Sequence, residues 1–465
     1  MPSLEELLVT HGKPLHQAIV LLREGWQEFD DLIRLTAAPR RSIEELQAAL
    51  GDDLERDGRR SRIKPGAGYT GYGLPEFTEP GGDALVKLEA LIKDVPPPLA
   101  ALDHVQATPE TVLKRALWLR SRYDLGKAKL LCLGDHDLTS LAVHLTDPGA
   151  DITVVDLDER VLEYIDTASD GRVRTLHADL RFGLPPAVSG SMDLVFSDPP
   201  YTPEGMGLFA ARGVQALREP SDGRLLLAYG YSPRHPALGA QVQRELAILG
   251  LTFEAILPDF NRYFGAQAIG SAADLYVCQP TAKAKKARAG KGKAAIYTHG
   301  PQSVEAGTTK PALLDRLLEI AGEGGLSIES RRVDWSVSGP EGDGVAMDLS
   351  ADPGPWLLRT LLGTNAQRLA LLLPNSHPDL GDAASQAALT SLIAGKYTLR
   401  LLRSTPDNKH AVVVADAVSG QNELLSRAHA RLANVPQEIP ADLHAYRLID
   451  LPRHRVKGLV SGIAG

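Results

Sequence analysis

The sequence predicts an α/β fold on a mostly parallel sheet, and three observations lead there. Between Ala128 and Cys278, short apolar runs alternate with helical patterns, the rhythm of strands joined by crossover helices. The run ending at Leu133 breaks at Gly134, and Asp156 closes the next run 22 residues beyond that glycine. This is the spacing of a ligand loop and a hydroxyl-reading acid in nucleotide-binding sheets. The run Asp193-Leu194-Val195-Phe196 leads into Asp198-Pro199-Pro200-Tyr201-Thr202. Two prolines stop that strand and leave a carboxylate and a ring at its carboxyl end, where open α/β sheets bind ligands.

At the start of the chain, Pro14–Glu24 carries apolar residues at helical spacing, and Phe29, Leu32, Ile33 and Leu35 mark a second helix. A third is expected from Ser42, with Glu45 three residues on as a capping box. Arg59, Arg60, Arg62 and Lys64 precede a Gly- and Pro-rich stretch to Gly82. Three small helices and a possible β-wing suggest a winged-helix-like N-terminal domain over 1–100. The basic patch is small, so a packing or dimerisation module fits better than a DNA reader.

Over 101–281 the expected strands are Ala128–Leu133, Ile152–Asp156, Val173–Leu176, Leu194–Ser197, Arg224–Tyr229, Phe253–Leu257 and Asp274–Cys278. Helical patterns fill 138–146, 158–168, 203–217 and 236–249. The last two strands are joined without a helix, which predicts a reversed strand at the sheet edge. Seven strands in this rhythm match a methyltransferase-type Rossmann domain. Residues 282–295, with Lys283, Lys285, Lys286, Arg288, Lys291 and Lys293 among Ala and Gly, read as a basic flexible linker. Beyond it, 296–465 carries strands at Arg368–Leu373, Thr398–Leu402 and Ala411–Ala415 and a helix at Pro311–Ala321. That is a second α/β domain without a catalytic constellation.

The 465 residues contain 43% hydrophobic and 23% charged residues, an ordinary globular composition. No run of 18 apolar residues and no basic-then-apolar leader at Met1–Glu6 is present, so a cytoplasmic protein without membrane association is expected. Cys132 and Cys278 both sit in apolar runs and read as reduced core cysteines. No cysteine–histidine spacing suggests a metal. The net charge is −8 overall, and residues 101–280 hold 23 acidic against 16 basic side chains. That balance disfavours nucleic acid and favours a cationic substrate.

The first loop reads Gly134-Asp135-His136-Asp137-Leu138-Thr139-Ser140. An adenosylmethionine loop usually carries several glycines that let the backbone approach the ligand; here one remains and two carboxylates enter. S-adenosylmethionine ends in an ammonium and a carboxylate, whereas its decarboxylated form keeps only the ammonium. Asp135 or Asp137 beside that end would favour the decarboxylated donor by about 1–3 kcal/mol. The simpler alternative is that Asp137 caps the following helix. Asp156 is expected on the ribose hydroxyls, and Asp179, in His177-Ala178-Asp179, on the adenine amine. His136 reads as a local hydrogen-bonding residue rather than a base.

Together these residues resemble the branched-chain polyamine synthases, the bis(aminopropyl)spermidine synthase family. The resemblance spans 100–280 and, more loosely, the N-terminal helices. It rests on the Gly134–Ser140 loop, on Val155-Asp156-Leu157-Asp158-Glu159-Arg160, and on Asp198–Thr202 running into Gly205, Leu208-Phe209 and Arg212-Gly213. Asn261-Arg262-Tyr263, Gly265-Ala266 and Ser271–Tyr276 add to it. It implies a winged-helix-like domain before a Rossmann catalytic domain. It also implies transfer of an aminopropyl group from decarboxylated S-adenosylmethionine to a polyamine amine of the spermidine type, with no metal. Asp198 and Tyr201 would be catalytic. Gly134, Asp135, Asp137, Thr139, Asp156 and Asp179 would surround the donor; Pro199, Pro200, Glu204 and Gln106 would lie on the acceptor side. Thr108, Thr111 and Arg115 look like a family motif facing the same cleft. The chain departs from the family at His136, where the loop is usually acidic, and in its last 170 residues.

Two other readings compete. An Asp-Pro-Pro-Tyr turn also serves methyl transfer to nitrogen from intact S-adenosylmethionine, and 3-amino-3-carboxypropyl transfer uses the same donor. The other is a winged-helix DNA-binding regulator with a nucleotide-sensing domain. A homodimer through the N-terminal module is compatible with all of them.

Overall fold

A computed structural model describes residues 3–284, 295–300, 311–335 and 342–463; the expected linker lies, apart from 282–284 and 295, outside them. The chain opens with α1 (Leu4–Glu24), β1 (Gln27–Glu28), α2 (Phe29–Thr36), α3 (Arg40–Leu50), β2 (Leu54–Asp57) and β3 (Arg60–Ile63), the strands ordered β1-β3-β2. Two boundaries differ from the sequence expectation. The first helix begins ten residues before Pro14 and kinks at Gly12, φ +48°. A Cβ there would stand 2.3 Å from the Arg122 carbonyl, so only glycine permits the contact. Ser42 caps nothing: α3 starts after Pro39, whose φ of −57° already suits a helix, and Ser42 is buried. A capping box does form, at Ser3 and Glu6 of α1.

Next come α4 (Gly82–Asp94), α5 (Pro109–Arg122), β4 (Lys129–Leu133), α6 (Thr139–Thr146), β5 (Asp151–Asp156), α7 (Glu159–Ala168), β6 (Arg174–His177), β7 (Leu194–Ser197) and α8 (Pro203–Ala216). They are followed by β8 (Arg224–Tyr229), α9 (Pro236–Leu249), β9 (Leu251–Arg262) and β10 (Ala272–Pro280). The seven strands form one mixed sheet, β6-β5-β4-β7-β8-β10-β9, of the methyltransferase-like Rossmann type. The reversed strand is not at the edge. β10 runs antiparallel to both β8 and β9, so it is inserted one place in and β9 takes the edge. Strands β4 to β8 are parallel neighbours, which brings the loops after Leu133, Asp156, His177 and Ser197 to one end of the sheet.

The last domain holds α10 (Pro311–Ala321), β11 (Ile328–Arg331), β12 (Gly342–Asp348), α11 (Trp356–Gly363), β13 (Ala366–Pro374), α12 (Ala383–Ile393), β14 (Tyr397–Leu402), β15 (His410–Ala417), α13 (Glu423–Ser426) and α14 (Arg453–Ile463). Its strands are ordered β11-β12-β13-β15-β14. One apolar cluster runs unbroken from Leu131, Leu133 and Val195 of the first sheet to Trp335, Trp356 and Leu371. The two sheets therefore share a core. Among the described residues no helix is long and apolar enough to cross a membrane.

Lys396 is a buried cation in this domain. Its Nζ donates to the Leu362 carbonyl at 2.6 Å, at the C-terminal end of α11, and lies 5.4 Å from the Tyr397 ring centre. Burial pushes its pKa down to about 7. The unfolded chain keeps that proton to about 10.4. Between these values the unfolded state binds more protons, so stability rises with pH across the window. Lys396→Met is expected to remove this part of the rise; melting temperatures of both proteins at pH 7 and pH 9.5 provide the check.

Candidate active site

The carboxyl ends of β4, β5, β6 and β7 enclose a cavity of about 330 Å³. Six aspartates and one arginine line it: Asp103, Asp135, Asp137, Asp156, Asp179, Asp198 and Arg115. Gly134, Thr139, Pro199, Pro200 and Tyr201 complete the set that the sequence grouped there. Gln106 and Glu204 are not among the wall residues. The Gln106 amide donates to the Ala107 carbonyl at 3.1 Å, and Glu204 occupies the first turn of α8.

Arg115, on α5, is fully buried and organises the Asp198 end of the cavity. Nε donates to Asn261 Oδ1 at 2.8 Å, Nη1 to Asp137 Oδ2 at 2.8 Å and to Thr139 Oγ1 at 3.2 Å. Nη2 donates to Asp198 Oδ2 at 2.6 Å and to the Tyr263 hydroxyl at 3.3 Å. All five N–H groups of the guanidinium are thereby used. Burial opposes the charge, yet Asp137 and Asp198 outweigh it and raise the pKa. The Pro109–Arg122 helix that carries Arg115 is N-capped by Thr108. Thr111 accepts the Arg262 amide at 2.9 Å, which ties the helix to β9.

Asp198 accepts further bonds from Tyr263 at 2.7 Å on Oδ2 and from Tyr201 at 2.9 Å on Oδ1. The two phenols lie 2.8 Å apart. Burial first, and Asp198 second, push both phenol pKa values well up, so they are held as donors. Burial raises Asp198 to about 6 against the pull of Arg115. With 16% of its side chain exposed, and one protein donor on Oδ1, the carboxylate keeps an acceptor position for a ligand. Tyr201 packs edge-on against Tyr229 at 5.5 Å. Tyr263 is a wall residue that spacing alone did not single out; its signal was its place in Asn261-Arg262-Tyr263.

The first loop is tied inward. Gly134, φ +70°, donates to the Val155 carbonyl at 2.9 Å. Asp135, not Asp137, meets the helix start: both its oxygens accept from the Ser140 amide. Burial raises Asp135 to about 7. Asp137 accepts the Ala107 amide at 2.7 Å besides Arg115. His136 donates to the Pro96 carbonyl at 3.0 Å and its ring lies tilted against that of His104, with centroids 4.5 Å apart. Burial drives the pKa of both imidazoles down, His104 to about 3. A donor to a carbonyl must carry the proton, so His136 is the Nε2–H tautomer.

Asp156 accepts one amide on each oxygen, from Asp158 and Asp135, both at 2.8 Å. Each oxygen retains a lone pair for a ligand hydroxyl. Burial raises it to about 6. Leu157, Ala178, Leu180 and Phe209 supply an apolar wall beside it. Asp179 meets Arg181 and the Trp356 indole of the last domain. The sequence did not foresee that Ile296, Tyr297, Thr298 and His299 would wall the same cavity. Thr202 donates to the Ile296 carbonyl at 2.7 Å, and Asp103 accepts from the Thr298 amide and hydroxyl at 2.7 and 2.6 Å.

Residues 83–290 match the family described as Branched-chain polyamine synthase A C-terminal domain. An uncharacterized protein of Methanocaldococcus jannaschii is 36% identical over 204 residues, 43% of this chain and 50% of that one. N(4)-bis(aminopropyl)spermidine synthase of Thermococcus kodakarensis is 31% identical over 188 residues, 39% of this chain and 53% of the enzyme. The chain thus spans about half the length of the curated relatives it matches. A solved branched-chain polyamine synthase from Thermus thermophilus, in complex with N4-aminopropylspermidine and 5'-methylthioadenosine, superposes with a TM-score of 0.41. Identity there is 20%, over 61% of this chain and 91% of that one. Through residues 83–290, the chain is similar to the branched-chain polyamine synthase family.

Proposed function

We propose that the protein is an aminopropyltransferase that moves the aminopropyl group of decarboxylated S-adenosylmethionine onto a polyamine amine. The observation that carries this reading is Asp198. It is a carboxylate on a proline-locked turn, braced by Arg115, Tyr201 and Tyr263, with an acceptor position left on Oδ1. The family match and the acid-rich wall support a cationic acceptor. The donor fits the remaining space: Asp156 offers two spare lone pairs for vicinal hydroxyls, and the apolar wall beside it suits a flat base.

Transfer requires a neutral amine in line with the carbon next to the sulfonium. The N–C bond forms as the C–S bond breaks, and the thioether nucleoside leaves. A polyamine nitrogen is largely protonated at neutral pH, so a proton must depart. Asp198 Oδ1 accepts it, and alignment in the closed cavity supplies much of the remaining rate. The carboxylate contrast at the first loop changes form in three dimensions. Asp137 spends its charge on Arg115 and Asp135 binds the Ser140 amide, so the collective acidity of the wall, more than one side chain, disfavours a donor carboxylate.

For the remainder, the division we propose is 1–100 winged-helix-like, 101–281 catalytic, 282–295 linker and 296–465 a second α/β domain. The helices and the small β1-β3-β2 sheet support the first. The acceptor-side roles of Pro199, Pro200, Glu204 and Gln106, and a homodimer through the N-terminal module, complete this reading.

Incubation with each donor and spermidine, followed by product mass, tests the reaction: aminopropyl addition is expected, and methyl addition from intact S-adenosylmethionine would overturn it. Asp198→Asn is expected to lower turnover by about 10²–10⁴-fold while donor binding persists. Because Asp198 acts as its carboxylate and titrates at about 6, kcat/KM should rise with pH through that value in the parent protein. Removing the cation by Arg115→Met leaves two carboxylates unpaired and should cost about 3–5 kcal/mol in denaturant unfolding.

A further inference from the structure

Asp179 lines the cavity at the end of β6, farthest from Asp198 in the sheet order. If the donor binds as proposed above, a premise on which the role of this residue rests, this end takes the base. A carboxylate there would read the base amine. Its acceptor capacity is already filled. Oδ1 accepts from the Arg181 amide at 3.0 Å and from Arg181 Nε at 2.8 Å. Oδ2 accepts from Arg181 Nη2 and from Trp356 Nε1, the latter at 3.0 Å. A carboxylate has about four lone-pair positions, and these four donors occupy them.

The fourth donor comes from the appended domain and is held firmly. Asp352 accepts the Trp356 and Leu357 amides at 2.9 and 2.8 Å and is itself met by His377 at 3.0 Å. The Trp356 ring packs on Phe182 and Trp335, with the Arg181 guanidinium 5.0 Å above it. Around the same loops, Arg359 pairs with Glu159, whose other oxygen accepts the Arg453 amide at 2.7 Å. His454 and Arg455 both hold Asp166, each at 2.6 Å. The domain thus grips α7 at both ends, and Trp356 cannot leave Asp179 without disturbing that packing.

We infer that Trp356 is a specificity-determining positioning residue: by occupying Asp179 Oδ2 it prevents the site from reading the exocyclic amine of the donor base. The base is then held by its apolar faces and its ribose, and its 6-amino group adds little. Replacing the indole by a ring without N–H vacates one acceptor position on a desolvated carboxylate. The base amine is the donor that would fill it.

The test is calorimetric titration of the full chain with 5'-methylthioadenosine and with its analogue bearing hydrogen in place of the 6-amino group. The parent protein is expected to bind both with similar affinity. Trp356→Phe should favour the amino nucleoside by about tenfold, the scale of one hydrogen bond to a charged group. A purely structural role would weaken both ligands together and leave their ratio unchanged, which would overturn the inference. So would a parent protein that already discriminates by about tenfold. If the parent binds neither nucleoside, the donor reading itself fails, and the inference with it. Trp356→Met, which fills space without an N–H, is the second variant should the phenylalanine form not fold.

Discussion

The buried guanidinium of Arg115 is the constraint around which the site is built. Asp137 and Asp198 come from different loops of one sheet and share this one cation. Without it, two carboxylates in a water-poor enclosure would repel, and at least one would take up a proton. With it, Asp137 is ion-paired, and Asp198 is held between burial, which raises its pKa, and Arg115, which lowers it. The same five N–H groups reach Asn261 and Tyr263, so α5, the first loop, the proline turn and β9 are registered by one side chain. Such a pair is weak evidence for stability, because desolvation cancels much of the attraction. Its value here is geometric: it leaves one carboxylate oxygen with an acceptor position in a defined direction.

The last domain belongs to this construction too. Its tryptophans share an apolar cluster with the Rossmann sheet, and its arginines and histidine hold Glu159 and Asp166 on α7. Helix α7 begins directly after the Asp156–Asp158 turn. The loops that would meet the donor are therefore braced by a domain that contributes no catalytic group by sequence. The 296–299 segment extends the same principle, with Thr202 and Asp103 fastening it across the cavity.

Much of the sheet was legible because its strands are short, apolar and separated by helical patterns. The Leu194–Ser197 and Arg224–Tyr229 strands match their observed bounds. What misled the reading was local. Ser42 and Glu45 have the spacing of a cap, but Pro39 starts the helix earlier. Pro14 looks like a helix start, yet the helix precedes it and bends at Gly12. The reversed strand was foreseen and its place was not, because hairpin connectivity does not say which of two strands enters the sheet.

The chain alone specifies that a carboxylate and a phenol stand on a rigid turn at a strand end. It also specifies that acids follow β4, β5 and β6 in the same way, because proline geometry and strand periodicity are local properties. What those acids are free to do depends on how the folded chain surrounds them. Asp137 is spent on Arg115, Asp135 on a helix amide and Asp179 on Arg181 and Trp356. Asp156 and Asp198 keep lone pairs for a ligand beyond their partners within the protein. A carboxylate's chemistry depends on which donors surround it, and those donors arrive from residues as distant in the chain as Arg115 and Trp356.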